Sequence, residues 1–303
     1  MRTEEKTLIG WHGISAQVPA AWTLGAVGGD QKAGYLRVDD ERMPRLQVKW
    51  SQGRVNLERK RAEYVKRLSV GKRKRPTGLE VDTEARFLSH RAKPKKELLT
   101  FAWRGRHCGM GVLWNCEVCE RALIAQVNWL PEERYHKVGR GILESLEDHG
   151  MGGWRPWGLD RLGFLAPDGY QLQSWRRLTR YLELKLGQGD MRLKVARWGM
   201  VPLVLGERTL IQWYREENSA RRDAVWQSQE MEIKGHEGVA AWGARRGVRA
   251  GLRRLIRRPA GTFAACAWHC PEGNRLYLVE SVETVKGEVL KGVVDSIICH
   301  PEA

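Results

Sequence analysis

Apolar and polar residues alternate in short blocks along the chain, beginning with Ile14 to Trp22, which runs as a strand into the turn Val18-Pro19-Ala20-Ala21-Trp22. Gly34-Tyr35-Leu36-Arg37-Val38 and Arg45-Leu46-Gln47-Val48 carry the two-residue period of half-buried strands. The period then changes. Leu57, Arg61, Tyr64, Val65 and Leu68 recur at three- and four-residue spacing, which predicts a helix with one apolar face. Leu79-Glu80-Val81 returns to strand, Met110–Trp114 and Ala122–Trp129 predict a strand pair around a turn, and Gly141 to His149 predicts a closing helix.

The same series then occurs a second time. Phe164-Leu165-Ala166-Pro167-Asp168-Gly169-Tyr170 answers the first turn, Arg180–Leu184 and Arg192–Val195 answer the next two strands, and a helix begins at Leu210. Met231-Glu232-Ile233 matches Leu79-Glu80-Val81, and Thr262–Trp268 and Leu276–Val282 match the strand pair. The turn Trp114-Asn-Cys116-Glu-Val-Cys119-Glu-Arg121 has a second version, Trp268-His-Cys270-Pro-Glu-Gly-Asn-Arg275, 154 positions on (268 − 114). A last helix, Gly292 to His300, mirrors Gly141 to His149. The Gly- and Pro-rich stretch Gly150 to Gly158 divides the halves. The expected fold class is α+β: two tandem repeats, 1–150 and 151–303, each an antiparallel sheet covered by helices in the order β-β-β-α-β-β-β-β-α. An antiparallel sheet with one apolar face needs such helices to cover it.

This element order, with an apolar strand entering Val18-Pro19-Ala20-Ala21-Trp22 or Ala166-Pro167-Asp168-Gly169-Tyr170, resembles the PsbP-like superfamily of small αβα-sandwich domains. The resemblance extends over both halves. It implies a binding or assembly factor without catalytic residues, and it transfers no site residue, because a fold by itself does not carry a function.

Charge alters the picture most. A net charge of +16 at 303 residues is a one-signed field that favours polyanions: nucleic acid, an acidic protein face or an anionic membrane. The charge is clustered. One run is Lys72, Arg73, Lys74 and Arg75, after the first helix; a second is Arg91, Lys93, Lys95 and Lys96; a third is Arg245, Arg246, Arg249, Arg253, Arg254, Arg257 and Arg258. The second and third read as the same connection in the two copies, giving a pseudo-two-fold pair of basic loops. Clustered Lys and Arg neutralise phosphates and release counterions, which supplies affinity without base readout. Phe87, Trp103 and Trp242 flank these runs and offer either base stacking or core packing. Leu252, Leu255 and Ile256 make too small an apolar face to anchor a basic helix on a membrane.

Six cysteines in a chain of this length do not make a secreted disulfide framework, and the N-terminal residues carry no apolar signal region, so a cytoplasmic setting with reduced thiols is expected. Cys116-x-x-Cys119 is the shape of half a zinc site, which Cys116, Cys119, His269 and Cys270 would complete between the halves. Against a site in each repeat, Cys119 aligns with Gly273. The expectation is therefore no cofactor, with zinc as the alternative, and Cys116 and Cys270 as buried residues ending core strands. Arg121 and Arg275 read as partners for a carboxylate or carbonyl near the turn, and His149 and His300 as helix-end residues meeting the negative end of the dipole.

No phosphate-binding Gly-rich loop, His-Glu-x-x-His helix or Gly-x-Ser-x-Gly elbow occurs. Asp39-Asp40 could hold a divalent ion or simply close a hairpin. The expected function is a non-enzymatic, two-lobed basic protein that contacts nucleic-acid phosphates, either alone or as a subunit of a larger assembly. The alternatives are an adaptor or assembly factor docking an acidic protein partner and, next, a metal-dependent nuclease.

Overall fold

A computed structural model describes residues 5–70, 78–88, 93–217, 224–245, 262–283 and 287–300. The chain divides into two compact units, Met1–Gly163 and Phe164–Ala303. Among the described residues no helix is long and apolar enough to cross a membrane.

The first unit opens with β1 (Lys6–Trp11) and β2 (Ile14–Pro19), paired along their length. Its main sheet is built from β3 (Thr23–Gly29), β4 (Ala33–Asp39), β5 (Pro44–Gln52), helix α1 (Leu57–Ser69), β6 (Glu80–Asp82), β7 (Lys96–Arg104), β8 (Cys108–Cys116) and β9 (Arg121–Trp129). Helix α2 (His136–Ser145) and β10 (Trp154–Leu159) follow, and β10 returns to pair with β1. The seven strands lie in the order β3-β4-β5-β9-β8-β7-β6 and every pair is antiparallel.

Strand β11 (Leu162–Pro167) leads into the second unit, with β12 (Gln171–Leu178), β13 (Tyr181–Gln188), β14 (Met191–Gly199), α3 (Val201–Leu205), α4 (Leu210–Glu217), β15 (Ala224–Ile233), β16 (His236–Arg245), β17 (Thr262–Cys270), β18 (Arg275–Glu283) and α5 (Glu288–Ser296). Here the order is β12-β13-β14-β18-β17-β16-β15, again antiparallel throughout. Val48 faces Ala125 in the first sheet, and Val195 faces Val279 in the second.

Alternation along these strands puts one apolar set against each helix. Leu57, Tyr64, Val65 and Leu68 of α1 pack on Phe101, Trp103 and Leu113, while Gly139 of α2 lies over Met110 and Val127 on the opposite face. In the second unit Leu210, Trp213 and Tyr214 of α4 pack on Val239, Phe263 and Ala265. Asn56 caps α1, its Oδ1 accepting from the Arg59 amide at 2.8 Å.

Strands β1 and β3 precede α1 in addition to the expected three, and β10 and β12 are the additional strands of the second series. Strand β3 has three glycines that break the apolar alternation, and the Asp39 carboxylate occupies the space beside Gly25. Strand β12 is exposed along most of its length, so no apolar face announces it. Strand β10 contains Pro156 and lies inside the stretch read as a dividing loop. It fits because Gly10 and Gly158 face each other, and a Cβ on Gly158 would meet the Leu8 carbonyl at 2.6 Å. The closing helices end at Ser145 and Ser296, so His149 and His300 lie beyond them and not on a helix end.

Candidate functional site

The ends of β8 and β17 organise a cluster in each unit. In the first, Cys116, Cys119, Asp148 and His149 bring their ligating atoms within 4.8 Å of one another. Cys116 ends β8 and is buried, Glu120 closes the turn in the left-handed region at φ +55, and Asp148 and His149 arrive on the segment after α2. Cys116 Sγ lies 3.6 Å from His149 Nδ1, which is 2.8 Å from Asp148 Oδ1.

Asp148 is fully buried and already holds a counter-charge. Lys96 Nζ donates to its Oδ1 at 3.0 Å and Trp114 Nε1 to its Oδ2 at 2.6 Å. Lys96 also reaches Glu147 at 2.8 Å, and Lys93 donates to Glu147 at 2.7 Å and to the Leu146 carbonyl at 2.5 Å. Burial opposes the Asp148 charge, yet Lys96, Trp114 and His149 together hold its carboxyl below the ordinary range. Burial, with the Asp148 charge added, pushes the Cys119 thiol up to about 12. Arg121 donates to the carbonyls of His12 and Asp148, both at 2.9 Å, as its place in the repeat suggested.

These contacts correct the expectation for Lys93 and Lys96. Both are buried, 1% and 6% exposed, and their ammonium groups are used by Glu147 and Asp148, so neither is offered to a phosphate. Lys95 between them is exposed.

In the second unit His236, Cys270, Cys299 and His300 bring their ligating atoms within 4.8 Å. His236 begins β16, Cys270 ends β17, and Cys299 and His300 lie on the segment after α5. Cys270 Sγ is 3.3 Å from His300 Nδ1; Cys299 Sγ is 3.4 Å from both His236 Nε2 and His300 Nδ1. Glu272 Oε2 stands 3.8 Å from His236 Nδ1 and 3.4 Å from Cys270 Sγ. Groups able to hold a metal ion are therefore present, in different sets from the one expected. Cys116 and Cys119 group with Asp148 and His149, Cys270 groups with His236, Cys299 and His300, and His269 belongs to neither. The sequence signal for Cys299 was its place at 151 positions from Asp148 (299 − 148), beside the repeated histidine. His236, at a two-residue strand turn, had no such signal.

Of the basic runs, Lys72, Arg73, Lys74, Arg75, Arg91, Arg246, Arg249, Arg253, Arg254, Arg257 and Arg258 lie outside the described residues, as does the side chain of Arg245. The run at 91–96 precedes β7 while that at 245–258 follows β16, so the two occupy different connections of the two sheets. A long β6–β7 connection in one unit and a long β16–β17 connection in the other produce a similar residue offset. Trp103 is buried and stacks on Phe101 at 5.7 Å, which settles it as core.

Exposed cations among the described residues are distributed over both units; α1 carries Arg59, Lys66 and Arg67, and the β12 region carries Arg176, Arg177 and Arg180. Beside α1 a cleft of about 220 Å³ is lined by Lys49, Lys60 and Arg67 with Tyr64, Leu113 and Ile124, and among the described residues no carboxylate lines it. A second cleft, about 660 Å³, has Arg61, Arg86 and Arg140 around Phe87, together with Glu84 and Glu144. The pair Asp39 and Asp40 is engaged: Asp39 pairs with Arg37 at 2.9 Å, and Asp40 accepts from the amides of Arg42 and Met43 and from buried Arg45 at 2.6 Å. Comparison with protein-family models and with curated proteins finds no match to this chain.

Proposed function

We propose that the chain is a tandem duplication of one α+β unit that acts as a non-enzymatic binding protein, holding nucleic acid through its phosphates. The observation that carries the reading is the cleft beside α1, with Lys49, Lys60 and Arg67 at its rim, no carboxylate among the described residues of its lining and an apolar floor containing Tyr64. Rim cations suit phosphates, and a floor of this kind accepts a base face, as in single-strand binding. Lys60 has Glu63 as a surface partner at 3.1 Å, an exposed pair that costs little to break. The run 72–75 follows α1 directly and extends its charge.

Duplication is supported by the equal strand order and register of the two sheets. Side chains support it too: Ser145 Oγ accepts from the Gln17 amide at 2.9 Å, and Ser296 Oγ from the Leu165 amide at 2.8 Å. Helices on both faces of the first sheet are in keeping with the PsbP-like likeness, which forms part of the same proposal. The turn and ion-pair roles of Asp39 and Asp40 weigh against the nuclease reading.

The test is a titration of a labelled single-stranded oligonucleotide into the full chain. Replacing Lys60 and Arg67 with Ala should weaken binding and lower the salt slope by about 0.7 for each phosphate no longer held. Unchanged affinity and slope would remove this cleft from the interface. Capture of an acidic protein that survives nuclease treatment, with no oligonucleotide binding at low salt, would replace nucleic acid by a protein partner.

A further inference from the structure

We propose that His236, Cys270, Cys299 and His300 form a structural zinc site in the second unit. The set is two thiols and two imidazoles, the donors that zinc takes in closed four-coordinate sites. With zinc–sulfur near 2.3 Å and zinc–nitrogen near 2.05 Å, a tetrahedron has sulfur–nitrogen edges of about 3.5 Å. Three of the four sulfur–nitrogen separations are 3.3, 3.4 and 3.4 Å, and all four atoms fall within 4.8 Å of one another. His236 points Nε2 at Cys299 and leaves Nδ1 toward the Glu272 carboxylate at 3.8 Å. The same carboxylate oxygen stands 3.4 Å from Cys270 Sγ, at the edge of the donor set.

The first unit supplies an internal comparison. Lys96 begins β7 and faces Cys116 across the sheet, the place that His236 takes at the start of β16. Asp148 precedes His149 as Cys299 precedes His300. In the first unit the cluster thus contains its own cation, the Lys96 ammonium, bonded to Asp148 at 3.0 Å. In the second unit both members of that ion pair are exchanged, the Lys for His and the Asp for Cys. Exchanging Lys96 alone would leave the buried Asp148 carboxylate without its ammonium, whereas exchanging both removes the internal cation and installs two ligands. Trp114 donates to Asp148, but its counterpart Trp268 keeps a buried Nε1 without a partner among the described residues. The Lys96–Asp148–Trp114 arrangement of the first cluster is therefore absent from the second, while the cysteine–histidine contact persists and four zinc-type donors stand together.

Four protein ligands leave no position for substrate, so the ion's role is to hold structure. It would tie the start of β16, the end of β17 and the segment after α5, with the two thiols giving up their protons on binding.

The experiment uses the full chain, purified under reducing conditions, equilibrated with zinc and dialysed, then analysed for metal per chain. About one zinc ion per chain is expected, retained when Cys116 and Cys119 are both replaced by Ser. Cys299→Ser and His300→Ala should each abolish retention. Should those variants fold poorly, native chain stripped with a chelator and given cobalt(II) should develop the visible bands of a tetrahedral thiolate site, in equal amount with Cys116→Ser and Cys119→Ser present. The proposal is overturned if the folded native chain retains no zinc and gives no such cobalt bands, if retention survives Cys270→Ser with Cys299→Ser, or if it is lost with Cys116 and Cys119.

Discussion

His12 occupies the turn between β1 and β2 at φ +51, with its ring against Trp11 and Trp157 at 5.4 Å from each. Burial lowers its pKa from 6.5 to about 4; Arg121 and Arg155 push the same way and Asp30 opposes them. The direction of the pH effect depends on which state binds the proton. Above pH 6.5 the ring is neutral in both states, and as pH falls toward 4 the unfolded chain protonates first. Stability therefore declines across that window, by about 3 kcal/mol when complete. Urea unfolding should show a lower midpoint at pH 4.5 than at pH 7, a difference reduced by His12→Asn, which tolerates the left-handed backbone. A midpoint difference as large in the variant as in the native chain would assign the pH response elsewhere. Lys96 gives a second test. Lys96→Met leaves Asp148 buried without its ammonium and should cost about 3–5 kcal/mol in denaturant unfolding, and the added change Asp148→Asn should recover part of that stability. At this scale the sequence displays charge but not its partner: Lys93 and Lys96 read as free cations because Glu147 and Asp148, which pair with them, lie more than fifty positions away.

Elements were legible where periodicity was strong. Helix α1 has Leu57, Tyr64, Val65 and Leu68 on one face, and the strand pairs around Cys116 and Cys270 are long and apolar. Strands β3, β10 and β12 were not, because glycine, proline and solvent exposure each erase the alternation that identifies a strand. The basic runs failed for a different reason, since a shared offset of residue number does not fix a shared connection when loops lengthen at different places. The metal-ligating groups needed three separate elements to converge, and only Cys270 and His300 carried repeat signals strong enough to be singled out. If exchange of the ion pair is what separates the two clusters, it can be made by hand. Lys96→His together with Asp148→Cys should raise retained zinc from about one ion per chain to about two, read by elemental analysis. Lys96→His alone removes the internal cation and leaves Cys116, Cys119 and His149 beside the new imidazole, so an equal gain from the single change would show that Cys119 serves as the second thiol.

Across the whole molecule the persistent feature is charge: +16 over 303 residues, with exposed cations in both units and clustered runs in the sequence. A diffuse excess of this size would serve solubility alone, but the cleft beside α1 gathers three cations over an apolar floor with no acid among the described lining residues. Under the proposed duplication the chain would have two units to bind with, and linked sites gain avidity only when both engage one ligand. The most direct test of phosphate recognition is the equilibrium affinity of the full chain for a single-stranded oligonucleotide over a series of salt concentrations. The account predicts a straight line of log affinity against log salt with a negative slope of about 0.7 per phosphate contacted, equal for oligonucleotides of different base sequence. Absence of binding at low salt, or an affinity indifferent to salt, would contradict it.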